Sequence, residues 1–209
     1  MAPVIMLIRH AEKALGDGPP HGVTIDGVQD RESLTPRGWQ RAGALVAMFG
    51  GVGSGPPTRG VAGTSRVAGT SGVAGTSGVV APEPAFAVPT HLFASKVGID
   101  SNSQRPRETL QPLAERLGLT IDTRFLKSQL KELVAAARTA EGVVLVAWEH
   151  HLIPSIATLI TGDAARVPAA WPDDRYDLVW ILEPEASGSY GFRQVAQMLL
   201  AGDRADLVP

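Results

Sequence analysis

The chain has 209 residues, 44% of them hydrophobic and 19% charged, with a formal net charge of −2. That is enough apolar material for one sizeable core, so one domain is expected over residues 1–209. The charge balance excludes a global basic field that would gather nucleic acid or an anionic membrane surface. Without cysteine there are no disulfides, thiolate metal ligands or cysteine nucleophiles.

The opening stretch MAPVIMLIRHAEK has too short an apolar run for a signal peptide and no cleavage pattern, and no stretch is apolar enough over bilayer length. A soluble cytoplasmic protein is the expectation. Val4 to Ile8 reads as a buried strand, followed by a polar insertion from Gly16 to Ser33. In LTPRGWQRAGALVAMF, Thr35 can cap a helix and Pro36 suits its first position, with Trp39, Ala42, Val46 and Phe49 on one face.

Residues 50–89 break the order with the tandem repeat VAGTSR, VAGTSG, VAGTSG in a stretch rich in Gly, Ser, Thr and Pro. It offers too few large apolar side chains to offset the entropy of ordering, so a flexible low-complexity loop is predicted. A solenoid would need more than Val and Ala to stack.

After it come a strand at His91 to Ala94 and a helix over RPRETLQPLAERLG, with Leu110, Leu113 and Leu117 inward and Gly118 just past the end. A helix over Gln129 to Thr139, a strand at Val143 to Trp148, a helix from about Pro154 to Thr161 and a strand at Leu178 to Leu182 follow. The tail GSYGFRQVAQMLL alternates as a strand after a Gly-Ser turn, with a short helix as the alternative. Strands alternating with helices imply an α/β sandwich with a mostly parallel sheet.

Arg9-His10 stands directly after an apolar strand, where ligands gather in open α/β sheets. Glu149-His150-His151 likewise follows Val143 to Trp148, so two strand ends can bring two imidazoles together. Ser95, and then Gln104-Arg105-Pro106-Arg107-Glu108-Thr109, place arginine at a helix start, where free N–H groups favour an anion. Alone, each element is weak, and a histidine satisfied by the backbone is the ordinary reading.

Together the elements resemble a known family. Arg9-His10-Ala11-Glu12 resembles the histidine phosphatase hallmark, which usually has glycine in place of Ala11. LTPRGWQRA resembles the motif opening that family's first helix, SQRPRETL its Arg-x-x-x-Thr element, and WEHHLIP the segment bearing its second histidine. The order matches and the motifs span most of the chain outside the repeat.

The resemblance, to the histidine phosphatase (phosphoglycerate mutase-like) superfamily, implies a three-layer αβα sandwich and a phosphohistidine mechanism. His10 would attack phosphorus in line, while Arg9, Arg105 and His150 surround the phosphoryl oxygens, with no metal or other cofactor. Spacing to Thr109 favours Arg105 over Arg107. The implied partner is a phosphorylated small molecule or phosphoprotein.

The chain departs from the family at the general acid. Where a Glu or Asp usually stands, Lys127 or Ser128 is found, leaving Glu149 and the more distant Glu132 as candidates. Low activity on ordinary alkyl phosphates is therefore expected, and mutase activity is disfavoured. Other readings are a catalytically weak phospho-ligand binding protein, and a zinc site of His91, His150, His151 and Glu149. Adjacent histidines at a strand end are expected to diverge, which counts against the zinc site. Lys13 reads as a solvated lysine at the pocket rim, and no basic stripe interleaves Trp39, Trp148, Trp171 and Trp180 to make them base-stacking platforms.

Overall fold

The apolar runs at the start and middle of the chain become adjacent central strands of one sheet. The computed structural model describes residues 2–51 and 86–209; the VAGTS repeat, expected as a flexible loop, lies outside the described residues. The strands are β1 (Val4–Arg9), β2 (His91–Ala94), β3 (Ile121–Asp122), β4 (Val143–Trp148), β5 (Leu178–Pro184) and β6 (Tyr190–Ala196). Their order is β3-β2-β4-β1-β5-β6. The pairings from β3 to β1 are parallel, and β5 runs antiparallel to both β1 and β6.

Both faces of the sheet are covered, which is why its central strands need no polar alternation. Helices α1 (Pro36–Phe49) and α2 (Arg105–Leu117) pack Leu45, Phe49, Leu110 and Leu113 on Met6, Ile8, Leu145 and Ala147. On the other face, α3 (Leu130–Thr139) and α4 (Ile153–Thr161) pack Leu133, Val134, Ile156 and Ile160 on Ile5, Leu7, Val144, Val146 and Trp148. The result is a three-layer αβα sandwich. The tail is a strand, closed onto β5 by a turn in which Glu185 N–H donates to the Ser189 carbonyl at 2.9 Å. No helix among the described residues is long and apolar enough to cross a membrane.

Two helix faces differ from expectation. In α1 the buried residues are Gly38, Arg41, Ala42, Leu45 and Phe49, while Trp39 and Val46 are half-buried. Arg41 turns inward because carboxylates wait there. In α2, Leu110 and Leu113 are buried, Leu117 is half-buried at the core's margin, and Gly118 ends the helix with φ of 66°.

Candidate active site

The parallel register of β1 and β4 places Arg9 opposite Trp148, and the His10 N–H donates to the Trp148 carbonyl at 3.0 Å. Both chains leave the sheet at this carboxyl end, so His10 and His150 emerge from neighbouring strands. Ser95, following β2, is buried at the same end. His91 begins β2, at the opposite end of the sheet, and so cannot join a site with His150.

His10 is 3% exposed, and its Nδ1 lies 2.8 Å from the Ala11 carbonyl oxygen. A carbonyl can only accept, so Nδ1 carries the proton and Nε2 keeps its lone pair. Nε2 has no hydrogen-bond partner among the described residues. Burial, reinforced by the charges of Arg9, Arg105 and Lys13, pushes the His10 pKa down to about 3 despite the hydrogen bond to Ala11. The ring is thus neutral and tautomerically fixed at physiological pH.

The Arg9 guanidinium is anchored on one side and open on the other. Its Nη1 donates to the carbonyls of Pro172, Asp173 and Arg175 at 3.3, 2.5 and 3.0 Å, while Nη2 has no hydrogen-bond partner among the described residues. Its carbon lies 3.7 Å from the centroid of the Tyr176 ring, which holds the guanidinium plane. Burial lowers the Arg9 pKa, opposed by Tyr176, Asp173, Glu12 and Glu149. The Arg9 charge depresses the pKa of both His10 and His150, so one cation influences both rings.

The loop after β1 is clamped by residues from α1 and α2. Thr109 accepts a hydrogen bond from Ala11 N–H at 2.8 Å and donates to the Arg105 carbonyl at 2.7 Å. The Glu12 carbonyl accepts from Thr35, which also caps α1 by accepting from Gly38 N–H at 3.2 Å. A Cβ at Gly38 would stand 2.5 Å from the Glu12 carbonyl oxygen, so only glycine lets α1 approach this closely. The Glu12 carboxylate grips Arg41 Nη2 at 2.8 Å, and Arg41 Nη2 also meets Asp203 at 2.7 Å. Burial would lower the Arg41 pKa, but the hydrogen bonds to Asp203 and Glu12 carry it above the ordinary arginine value.

Arg105 opens α2, and its charge contributes to lowering the His10 pKa. Three of its five N–H donors go to Ser33 O, Ser103 Oγ and Arg31 O, at 3.4, 3.3 and 2.5 Å. Arg107 is exposed. Glu108 is buried and holds Ser33 Oγ at 2.7 Å and Leu34 N–H at 2.8 Å, fixing the polar insertion against α2. Burial raises its pKa in spite of these bonds.

His150 starts a 3-10 turn, His150–Leu152, rather than continuing the strand. Its ring and that of His151 therefore lie against each other, with centroids 3.8 Å apart and planes tilted by 37°, correcting the expectation that they diverge. With Glu149 they form a group whose ligand atoms lie within 4.8 Å of one another, able in principle to hold a metal ion without His91. Glu149 itself pairs with Lys127 at 3.6 Å. Glu132 lies on the exposed side of α3.

His150 Nε2 meets the Asp173 carboxylate at 2.7 Å, while the buried Nδ1 has no hydrogen-bond partner among the described residues. Burial lowers the His150 pKa against the pull of Asp173, and the hydrogen bond to His150 lowers that of Asp173. Asp173, Tyr176, Glu108 and Arg41 were missed from sequence. Asp173 and Tyr176 sit in the segment WPDDRYD, which has no periodicity. Only the aromatic and acidic clustering there could have drawn notice.

Solved structures of similar shape include mycobacterial glucosyl-3-phosphoglycerate phosphatase with VO3, 16% identical over 93% of this chain and 98% of that chain, TM-score 0.49. A structure named mycobacterial hydrolase 1 is 16% identical over 93% of this chain and 97% of that chain, TM-score 0.47. A protein from Agrobacterium tumefaciens assigned as the phosphohistidine phosphatase SixA is 14% identical over 92% and 95%, TM-score 0.46. No protein-family model matches the chain, and no curated protein matches it. At these identities and scores the chemistry of the site rests on this chain's own side chains.

Proposed function

We propose that this chain is a phosphatase of the histidine phosphatase type, in which His10 forms a phosphohistidine intermediate without a metal. The observation that carries this is the state of His10: buried, held through Nδ1 on a carbonyl, with its Nε2 unspent and its neutral form favoured by the charge of Arg9. Nε2 attacks phosphorus as the bond to the leaving group breaks, and water then displaces His10 to release inorganic phosphate. Charge spread over the phosphoryl oxygens is met by Arg9 Nη2, by the remaining Arg105 donors and by His150. For His150 to serve, the Asp173 carboxylate must yield Nε2 to the substrate.

Among the described residues the two carboxylates next to His150 are both engaged: Glu149 is paired with Lys127 at 3.6 Å, and Asp173 is kept ionised by His150. The site therefore suits leaving groups that depart as stable anions, from a phosphorylated small molecule or a phosphoprotein. The same shortage, with Arg105 and His150 already engaged by protein acceptors, favours a second reading: a phospho-ligand binding protein with little turnover.

Incubation with an activated phosphodonor should leave acid-labile phosphate on His10, absent from His10→Ala. A hydrolysis screen over phosphorylated metabolites and phosphopeptides, with the variant alongside, should show turnover by the wild type alone. Phosphate binding without adduct or turnover would leave the binding protein as the function.

A further inference from the structure

Tyr176, which packs on the Arg9 guanidinium, also lines a cavity. It contributes to the lining of a cleft of about 390 Å³ together with Leu15, Pro19 and Pro20 and the charged Glu12, Lys13 and Arg37. That volume falls in the range of small-molecule sites. One face of Tyr176 carries the Arg9 guanidinium, and its ring centroid is 6.4 Å from that of His10. Tyr176 is thus common to the surroundings of His10 and to the cleft.

The lining differs in chemistry from the surroundings of His10. Leu15, 91% exposed, and the two prolines present apolar surface. Arg37 is occupied by Glu12 at 3.2 Å and the Ala201 carbonyl at 2.7 Å. The Lys13 ammonium has no hydrogen-bond or ion-pair partner among the described residues, and its charge contributes to lowering the His10 pKa.

We propose that this cleft takes the leaving-group half of an aryl phosphate, a flat apolar ring bonded to phosphorus through an acidic oxygen, with Lys13 facing the departing oxygen. The inference deepens the phosphatase reading and rests on it. As His10 Nε2 bonds to phosphorus, the P–O bond breaks and its electron pair leaves on the aryloxide. The Lys13 ammonium offsets that charge, which does without the missing carboxylic acid. Water attack on phospho-His10 then returns the P–N pair to Nε2 and yields phosphate and a proton.

The test compares 2-naphthyl phosphate with acetyl phosphate, a donor whose leaving group is stable but small, in wild type and Leu15→Glu. Leu15 is exposed, so the variant is expected to fold as the wild type does, and equal thermal unfolding midpoints check this. The expected result is a loss of about tenfold in kcat/KM for the naphthyl ester, carried mainly by KM, with acetyl phosphate unchanged. Equal kcat/KM of the variant and wild type on both donors would overturn the cleft assignment alone. Failure of the wild type to turn over either donor would overturn the phosphatase reading and the inference with it.

Discussion

Acidification should destabilise this protein through His10 in particular. In the folded state burial holds its pKa to about 3, against an ordinary 6.5 in the unfolded chain. Above 6.5 both states are neutral at this ring and its contribution is fully present. As pH falls below 6.5 only the unfolded chain takes the proton, and stability drops until the folded pKa is reached. Between pH 7 and pH 5 the loss from this one group is about 2 kcal/mol by linkage. Urea unfolding at the two pH values, in wild type and His10→Asn, isolates it, because Asn keeps a donor for the Ala11 carbonyl but does not titrate. His150 and the carboxylates contribute equally in both backgrounds and cancel. The variant should lose about 2 kcal/mol less than the wild type over that interval. Parallel losses in the two proteins would mean that His10 is not held neutral, and the argument for a standing nucleophile would fail with it.

Gly38→Ala should destabilise by about 1–3 kcal/mol through overpacking on Glu12, more than the helix propensity gained, and should lower activity; chemical denaturation and turnover measure both. Arg41→Met removes the cation between the buried Asp203 and the largely buried Glu12, so a loss of about 3–5 kcal/mol is expected in the same unfolding assay. Thr109→Val leaves the Ala11 N–H without its acceptor, at a cost of about 1–3 kcal/mol in stability. Asp173→Asn should tighten competitive inhibition by inorganic phosphate by about threefold, the small factor expected of an exposed carboxylate. An unchanged inhibition constant would show that Asp173 does not compete with phosphate for His150.

The central strands were legible because a strand covered on both faces must be apolar along its length. The predicted bounds of β2 and β4 match the structure, and β1 and β5 differ only at their carboxyl ends. The two-residue β3 carries no such pattern and went unseen. Helices α1 and α2 announced themselves through Thr35-Pro36 and Gly118, local devices that satisfy free backbone groups within a turn. Arg41 is not among the residues that the sequence places on the inward face of α1. Its inward turn depends on Glu12 and Asp203, 29 and 162 positions away.

The amino-acid order thus determined the layers, the end of the sheet that bears Arg9, His10 and His150, and the absence of an obvious acid. Periodicity and capping act over a few residues, so they are written locally. Tertiary structure alone decided which nitrogen of His10 is free, that Asp173 sits on His150 while Tyr176 backs Arg9, and that an apolar cleft lies against Tyr176. Those outcomes depend on meetings between segments distant in sequence, whose distances and desolvation no local pattern encodes.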